Sequence, residues 1–372
     1  MNSCLPRRGE NMKTLPFIYN QPKEFLASLQ PKEWADFILG EISPLYSLTA
    51  TKARVIAIRS ESSDSKTLVL KTNRNWKGFQ AGQHVPVTIE IAGRRVTRFY
   101  SLSSAPGDKN PTITVKKQNG GLVSHFINER VQVGDILELG KAQGDFVLPK
   151  EIPAKILMIA GGSGITPIHS ILQDLSKQDF KGQVKLLYFS RFREDIIFFD
   201  SFAKLEAENP WLEIKHVLTD VKADGFDFGF LTNEMLHTFV PDLEDRLVYL
   251  CGPAPLQGPA KFMLGDVKII SELFLLPSQV NSSTSSTGPK EVVLLQSHRT
   301  ILLKGEKSIL DELEENGIFA PSGCKMGICH TCVCKKVSGS VTNLMNQTVS
   351  GEGEENIQIC VSRAEAKLEL DL

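Results

Sequence analysis

Four cysteines near the C-terminal end constrain this chain more than any other feature. Cys324, Cys329 and Cys332 follow the spacing C-x4-C-x2-C, and Cys360 comes after 27 intervening residues. Four thiolates at this spacing are typical of a plant-type [2Fe–2S] cluster site. A zinc site is one alternative, although zinc sites usually pair short cysteine knuckles, and four unrelated buried cysteines are the other. The pattern predicts a centre that carries single electrons.

Length and composition narrow the remaining possibilities. The chain has 372 residues, which at about 100–200 residues per domain predicts two or three domains. A formal net charge of −1 excludes a general nucleic-acid binder, because there is no basic excess to neutralise phosphates. Cysteines concentrated at metal-ligand spacing favour a reducing compartment. No apolar run reaches the ~18–20 residues that span a bilayer, so the sequence predicts a cytoplasmic protein.

The hydrophobic pattern divides the chain into five segments. Residues 1–50 form an N-terminal helical extension. Its residues 21–50 carry apolar side chains at helical spacing, which predicts either a brace on the next domain or a docking surface for a membrane or partner. Residues 51–150 show short alternating runs separated by turns, which predicts an antiparallel β-barrel. Residues 151–276 alternate strands and helices, as in a doubly wound α/β sheet. Residues 277–289 form a Ser/Thr-rich linker, and residues 290–372 form an α+β domain around the cysteines.

Two glycine-rich turns follow predicted strands of the α/β segment. The first is Gly161–Pro167, with the sequence Gly-Gly-Ser-Gly-Ile-Thr-Pro, and the second is Cys251-Gly252-Pro253. Glycines let backbone N–H groups approach a pyrophosphate, and a helix N-terminus favours its negative charge. Such turns also occur for packing alone. Because both follow strand ends, we expect them at the ligand-binding edge of the sheet.

The barrel segment contributes two further candidate stretches. Residues 98–104, Arg-Phe-Tyr-Ser-Leu-Ser-Ser, offer a cation for a phosphate, an aromatic face for a ring and hydroxyls for polar ring edges. An ordinary strand with an exposed arginine is the alternative. Residues 120–124, Gly-Gly-Leu-Val-Ser, precede a predicted helix and form a candidate anion-binding turn.

In this order and spacing, the motifs resemble those of the ferredoxin–NADP reductase superfamily, and the cysteine pattern resembles a fused plant-type ferredoxin domain with a β-grasp fold. The resemblance covers roughly residues 50–372. The order of flavin, nucleotide and ferredoxin domains is similar to that of reductase components of oxygenases, hydroxylases and acyl-lipid desaturases. The N-terminal extension, ending in residues 43–47, is most similar to that of reductases serving membrane fatty-acyl desaturases.

The resemblance implies a role for each motif. Arg98 would bind the flavin pyrophosphate, Tyr100 would pack on the flavin, and Ser101 would lie near its N5. The full set implied for flavin binding is Arg98, Phe99, Tyr100, Ser101, Gly121, Leu122, Val123 and Ser124. The set implied for the nicotinamide and pyrophosphate path is Gly162, Gly164, Thr166, Pro167, Cys251, Gly252 and Pro253.

The resemblance also implies catalytic residues and cluster ligands. Those expected at the hydride-transfer site are Ser101, Cys251, Glu272 and Phe274. Phe274 would cover the flavin face that nicotinamide must reach, although a plain core role is the alternative. Cys324 and Cys329 would share one iron, with Cys332 and Cys360 on the other. The resemblance favours FAD over FMN.

Nucleotide choice depends on Ser190, Arg191 and Arg193, which follow a predicted strand. Basic residues there can pair with a 2′-phosphate, which favours NADPH over NADH. Glu194 and Asp195 weaken that inference, and a solvated loop is the alternative.

The function expected from the resemblance is an NAD(P)H-dependent oxidoreductase. Electrons would pass from NADPH through FAD and the cluster to a partner protein, expected to be a membrane fatty-acyl desaturase, with peripheral association at the inner membrane face. The alternative acceptor is a soluble oxygenase or hydroxylase acting on an aromatic, steroid or acyl-CoA substrate. A redox sensor without turnover is the alternative from another class. The acidic helix at residues 311–315 predicts either a solvated face or a docking surface for a basic partner.

Overall fold

The structure is a computed structural model that describes residues 31–274, 288–323, 325, 327, 330–345 and 348–372. Residues 1–30 of the predicted extension and residues 277–287 of the predicted linker lie outside the described residues. The described chain begins with helix α1 (Pro31–Ile42). A barrel domain, a nucleotide domain and a ferredoxin domain follow, which confirms the predicted three-part fold.

The barrel domain is a six-stranded antiparallel sheet in the order β4-β3-β6-β1-β2-β5, with one helix before the last strand. Its elements are β1 (Thr51–Ser62), β2 (Ser65–Thr72), β3 (His84–Ile91), β4 (Arg94–Ser101), β5 (Thr112–Lys116), α2 (Leu122–Glu129) and β6 (Ile136–Leu139). Alternate residues point inward, as Val85, Val87 and Ile89 do on β3. A bridge between Leu102 and Ile113 joins the two edge strands, so the sheet curls into a barrel.

The segment between α1 and β1 is tied to the barrel by polar contacts. Asn75 Nδ2 donates to the carbonyl of Ser47 (3.0 Å), and Asn73 Nδ2 donates to the carbonyl of Ala50 (3.0 Å). Asp36 on α1 accepts from the Ser47 hydroxyl (3.1 Å). These contacts are those that a brace on the barrel requires.

The nucleotide domain is a six-stranded parallel sheet in the order β10-β9-β8-β7-β11-β12. Its elements are β7 (Lys155–Gly161), α3 (Ile165–Lys177), β8 (Gln183–Ser190), α4 (Phe199–Glu208), β9 (Leu212–Leu218), β10 (Asp227–Phe228), α5 (Asn233–Phe239), β11 (Leu247–Gly252), α6 (Ala254–Leu264) and β12 (Ile269–Leu273). The strand order reverses between β7 and β11, and ligands bind in such sheets at the carboxyl ends beside the reversal.

The ferredoxin domain is a five-stranded mixed sheet in the order β14-β13-β19-β15-β17, with a separate pair of β16 and β18. Its elements are β13 (Lys290–Leu294), β14 (Arg299–Leu303), α7 (Ile309–Glu315), β15 (Val333–Ser338), β16 (Val341–Asn343), β17 (Glu355–Gln358), β18 (Ser362–Ala364) and β19 (Leu368–Leu370). Ser308 caps α7, accepting from the Asp311 amide (3.1 Å).

Helix α3 fastens the nucleotide domain to the barrel. His169 Nδ1–H donates to the Ser103 carbonyl (2.7 Å), and its Nε2 accepts from the Ser201 hydroxyl (2.8 Å). The Ser170 hydroxyl donates to the Ser104 carbonyl (2.6 Å). The His169 ring also stacks on Phe198, with ring centroids 3.9 Å apart. Burial lowers the pKa of His169 from its ordinary 6.5 to about 4, against a smaller opposing effect of the Ser103 hydrogen bond.

This depressed pKa predicts acid sensitivity. Between about pH 6.5 and 4 the unfolded chain takes up a proton at His169 that the folded chain does not. The free energy of unfolding should therefore fall as pH drops through that window, by up to about 1.4 kcal/mol per pH unit for this group. We expect His169→Gln to flatten the dependence in urea unfolding at pH 7.5, 6 and 5. A slope identical to that of the wild type would contradict this assignment.

Candidate functional site

A cavity of about 930 Å³ lies where the three domains meet. Many residues expected from the sequence line it: Arg98, Phe99, Tyr100, Ser101, Gly121, Leu122, Val123, Ser124, Gly162, Thr166, Ser190, Arg191, Pro253, Glu272 and Phe274. Other expected residues lie outside its lining: Gly164, Pro167, Arg193, Cys251 and Gly252. The ferredoxin domain contributes Asp311, Glu314 and Lys325.

The last residues of strand β4 form the barrel side of the cavity. Arg98 donates from a guanidinium nitrogen to the Thr97 carbonyl (2.8 Å) and to the carbonyl of Gly323 in the ferredoxin domain (3.4 Å). Burial raises the pKa of Tyr100, so its phenol stays protonated, and the Arg98 charge opposes that shift only in part. A fixed cation and a neutral aromatic face therefore line one wall.

The turn before α2 has the geometry of an anion site. The Ser124 hydroxyl donates to the Gly121 carbonyl (2.9 Å) and accepts from the Gln118 amide (3.1 Å). A Cβ on Gly121 would lie 2.5 Å from that hydroxyl oxygen, so a larger residue would displace the hydroxyl from these hydrogen bonds. The first turn of α2 carries no acidic side chain. The start of this helix thus lines the cavity and carries no carboxylate of its own that would oppose a bound anion.

The glycine turn between β7 and α3 serves packing as well as the cavity. A Cβ on Gly164 would lie 2.4 Å from the Cys251 carbonyl oxygen, because the turn crosses the end of β11. The Thr166 hydroxyl donates to the Ser163 carbonyl (2.9 Å) and closes the turn. Pro167 is buried inside α3. Gly162 and Thr166 line the cavity, whereas Gly164 and Pro167 shape the turn behind it.

Cys251 lies behind the cavity wall rather than in it. The thiol is fully buried, and burial together with the Glu272 carboxylate raises its pKa well above the ordinary value. It therefore remains protonated. Cys251 is opposite Glu272 in the β11–β12 ladder, so the two expected residues are neighbours. Phe274 follows β12, donates its amide to the Gly252 carbonyl (3.1 Å), and is part of the lining.

His84 is a lining residue that the sequence analysis missed. Its Nδ1–H donates to Oε1 of Glu272 (2.9 Å), and both side chains are about nine-tenths buried, at 7% and 10% exposed. The alternation of β3 gave no signal for it, because His84 has the opposite parity to the inward residues Val85, Val87 and Ile89 and is nevertheless buried.

Four buried polar atoms of cavity-lining residues lack hydrogen-bond partners among the described residues. They are His84 Nε2, Ser101 Oγ, Ser190 Oγ and Glu272 Oε2. A buried donor or acceptor without a partner costs about 1–3 kcal/mol. A bound ring with polar edges would satisfy such atoms. The lining therefore fits a flavin and a nicotinamide, with Arg98 and the turn before α2 available for phosphates.

The ferredoxin domain faces this cavity through the start of its cysteine loop. Lys325 adopts a positive φ of 56°, and its ammonium pairs with Asp311 (3.0 Å) and Glu314 (2.6 Å) on α7. Phe319 lies against the Arg94 guanidinium of the barrel, 4.2 Å from its ring centroid. With the Arg98–Gly323 bond, these contacts place the start of the loop beside the barrel side of the cavity.

The carboxylates of the acidic helix have partners within the ferredoxin domain. Asp311 and Glu314 are paired with Lys325, and Glu315 pairs with Lys307. Glu312 is 2% exposed and accepts from backbone amides of residues 305–307. The charges on α7 are thus used within the domain.

Two of the expected cluster ligands lie within the described residues. The sulfurs of Cys332 and Cys360 are 3.0 Å apart, and both residues are buried. Cys324 and Cys329 lie outside the described residues. The adjacent sulfurs fit a pair of ligands to one iron. Burial raises the pKa of Cys334 to about 11, so this thiol stays protonated and suits a packing role.

Substitution of Cys360 distinguishes a cluster ligand from a cysteine that only packs, such as Cys334. We expect Cys360→Ser to abolish the visible absorbance and electron paramagnetic resonance signal of the cluster, because serine cannot supply the thiolate. Flavin binding and NADPH-driven ferricyanide reduction should persist, while cytochrome c reduction falls about tenfold or more. Cys334→Ser is the matched control and should keep the cluster. A Cys360→Ser protein with a full cluster signal would contradict the assignment.

Comparison with known proteins agrees with the three-domain geometry. The chain matches an oxidoreductase FAD-binding domain over residues 52–148, an oxidoreductase NAD-binding domain over 158–261, and a 2Fe-2S iron-sulfur cluster binding domain over 293–365. These matches fall on the barrel, the parallel sheet and the cysteine-bearing domain.

Relatives cover most of the chain. An NADPH oxidoreductase of Mycobacterium tuberculosis is 30% identical over 335 residues, covering 89% of this chain and 86% of that protein. The ferredoxin reductase component of 3-ketosteroid-9-alpha-monooxygenase from the same species is 31% identical over 301 residues, covering 75% and 82%. The solved structure of phthalate dioxygenase reductase superposes with a TM-score of 0.63 at 25% identity, covering 86% of this chain and 97% of that chain.

The fold and site therefore define an NAD(P)H-dependent flavin and iron–sulfur oxidoreductase. The chain belongs to the ferredoxin–NADP reductase superfamily, among the phthalate dioxygenase reductase-type proteins that carry a [2Fe–2S] domain. Its cofactors are FAD, a [2Fe–2S] cluster and a nicotinamide nucleotide, as expected from the sequence. It is an electron-transfer reductase that serves a redox acceptor protein.

The division of labour follows from the cofactors. FAD supplies the conversion of a hydride into single electrons, and the cluster supplies one-electron transfer. The protein contributes a cation at Arg98, polar atoms at Ser101 and Glu272, and a shielded cavity. In the part of the chain that the structure describes, no helix has the length and apolar character to cross a bilayer.

Proposed function

We propose that this protein is the NADPH-dependent reductase component of a multicomponent oxygenase. The observation that supports this most directly is a cavity to which described residues of all three domains contribute. Barrel residues around Arg98, nucleotide-domain residues around Glu272, and Lys325 beside the cysteine loop share one space. Such an arrangement suits electron transfer from a nicotinamide through a flavin to a cluster within one chain, so that no separate ferredoxin has to bind.

The choice of an oxygenase as acceptor is supported by the relatives. A ketosteroid monooxygenase component and phthalate dioxygenase reductase match over 75% and 86% of this chain. The membrane acyl desaturase expected from the sequence gains no support from these names, and the proposal moves the acceptor to an oxygenase or hydroxylase. Peripheral membrane association stays a prediction tied to the desaturase reading.

A direct assay of acceptors tests this proposal. We expect NADPH consumption and product formation when the protein is combined with a terminal oxygenase component and its aromatic, steroid or acyl-CoA substrate. Membranes containing an acyl desaturase are the parallel arm. Electron delivery to the desaturase alone would overturn the oxygenase assignment. Cys360→Ser is the control in both arms, since acceptor reduction should require the cluster.

The redox-sensor alternative makes a different prediction. A sensor holds electrons without passing them on, so the cofactor-loaded protein would show no NADPH-driven cytochrome c reduction. Turnover in this assay would support the reductase proposal, and its absence would support the sensor.

The proposed preference for NADPH is supported by the end of β8. Ser190 and Arg191 line the cavity, and the Arg191 guanidinium donates to Asp195 (3.2 Å) while its side chain stays 60% exposed. Arg191 is thereby held at the cavity with free donors for a 2′-phosphate. Arg193 points elsewhere, lying 5.8 Å from the ring centroids of both Phe199 and Phe226. Of the two arginines expected at the 2′-phosphate, Arg191 lines the cavity and Arg193 does not.

Substitution of the two arginines distinguishes their roles. We expect Arg191→Leu to raise the KM for NADPH about tenfold or more, because a hydrogen bond between charged groups is lost. The KM for NADH should change by no more than roughly twofold. Arg193→Leu is the matched control and should leave both values near wild type. Equal effects on both nucleotides would contradict a 2′-phosphate role for Arg191.

A further inference from the structure

The pair formed by His84 and Glu272 joins two domains at the wall of the cavity. His84 belongs to strand β3 of the barrel and Glu272 to strand β12 of the nucleotide domain, with 2.9 Å between Nδ1 and Oε1. The side chains are only 7% and 10% exposed. By contrast, the surface pair of His125 and Glu129 is 3.3 Å long, with side chains 43% and 50% exposed.

The His84 ring is fixed from several sides. It lies opposite Ser101 in the β3–β4 ladder, and its edge meets the Phe99 ring at a centroid distance of 5.5 Å. The backbone at Gly144 packs against the ring so closely that a Cβ there would lie 2.9 Å from Cε1. The His84 amide donates to the Gln143 carbonyl (3.0 Å), which holds the same loop in place. The imidazole therefore has little freedom to turn.

The Glu272 carboxylate is held by one oxygen only. Oε1 accepts from His84, whereas Oε2 is buried without a hydrogen-bond partner among the described residues. The backbone of Glu272 is anchored separately, since Gln257 Nε2 donates to its carbonyl (2.6 Å). His84 Nε2 is likewise buried and unpartnered in the described chain. Both atoms belong to cavity-lining residues, so a ligand in the cavity can satisfy them.

We propose that His84 is a positioning residue for hydride transfer. Its Nδ1–H holds Oε1 so that Oε2 stays turned into the cavity, where it accepts from an N–H group of the bound nicotinamide or flavin. The same hydrogen bond sets the position of β12 against the barrel. Without it, the carboxylate would turn towards water or another donor. The two rings would then still bind, through contacts elsewhere in the cavity, but in a less reactive alignment.

This inference rests on hydride transfer at the cavity, and it does not depend on which protein accepts the electrons. Its test therefore omits any acceptor. The cofactor-loaded protein is mixed anaerobically with NADPH, or with NADH if that reduces the wild type faster, and flavin bleaching is followed. Failure of wild-type protein to reduce an oxygenase would contradict the proposed function and leave this test intact.

We expect His84→Ala to slow flavin reduction about tenfold or more, because the buried carboxylate loses its partner. The nucleotide concentration giving half the maximal rate should change by no more than roughly twofold. His84→Asn, whose side-chain N–H can occupy the position of Nδ1–H, should recover most of the rate. His125→Ala removes the exposed histidine of the other pair and should behave as wild type.

A second readout does not use turnover. In urea unfolding, His84→Ala and Glu272→Gln should be non-additive, so that the double variant is less destabilised than the two single losses summed. Bound FAD, measured by the ratio of visible to ultraviolet absorbance, should be unchanged in His84→Asn. Wild-type flavin reduction in His84→Ala would overturn the proposal. Equal slowing in His84→Ala and His84→Asn, together with loss of FAD, would also overturn it in favour of a structural role.

Discussion

The site depends on hydrogen bonds that side chains of helix α3 donate to two backbone carbonyls just after strand β4. The β3–β4 ladder ends at Ser101, so the carbonyls of Ser103 and Ser104 need other donors. His169 and the Ser170 hydroxyl supply them at 2.7 and 2.6 Å. Each would cost about 1–3 kcal/mol if buried without a partner. Because α3 also begins at the glycine turn, the same contacts set that turn against the Arg98–Ser101 wall.

Much of this arrangement could be predicted from the sequence because it follows from local pattern. The alternating runs of the barrel, the continuous apolar run of β7 and the glycine turns each reflect short-range backbone geometry. The resemblance then implied that Arg98, Ser101 and Glu272 surround one ligand, and the structure brings all three to one cavity. The strand and turn patterns depend on neighbouring residues in the chain, and the fold confirmed the predicted architecture.

What the sequence could not give were contacts set by tertiary packing. His84 meets Glu272 across 188 positions of the chain, and no local pattern marks that pairing. Arg193 stands two residues from Arg191, yet it turns to Phe199 and Phe226 instead of the cavity. The acidic run on α7 was compatible with a solvated face or a docking surface. In the structure its carboxylates pair with Lys325 and Lys307 or accept from backbone amides. In each case the deciding partner lies on another element.

The contacts between the barrel and the ferredoxin domain have a further consequence. Among the described residues they include the Arg94 guanidinium on the Phe319 ring and Arg98 on the Gly323 carbonyl. A cation–π contact contributes about 0.5–1 kcal/mol at an exposed site, and such a hydrogen bond about 1.5–3 kcal/mol. The acceptor at Gly323 is a backbone carbonyl, which any residue at that position would supply. A different electron-carrying module could therefore replace this one while keeping an aromatic residue and a turn at the junction. Nucleotide preference and acceptor choice can then diverge independently over evolution.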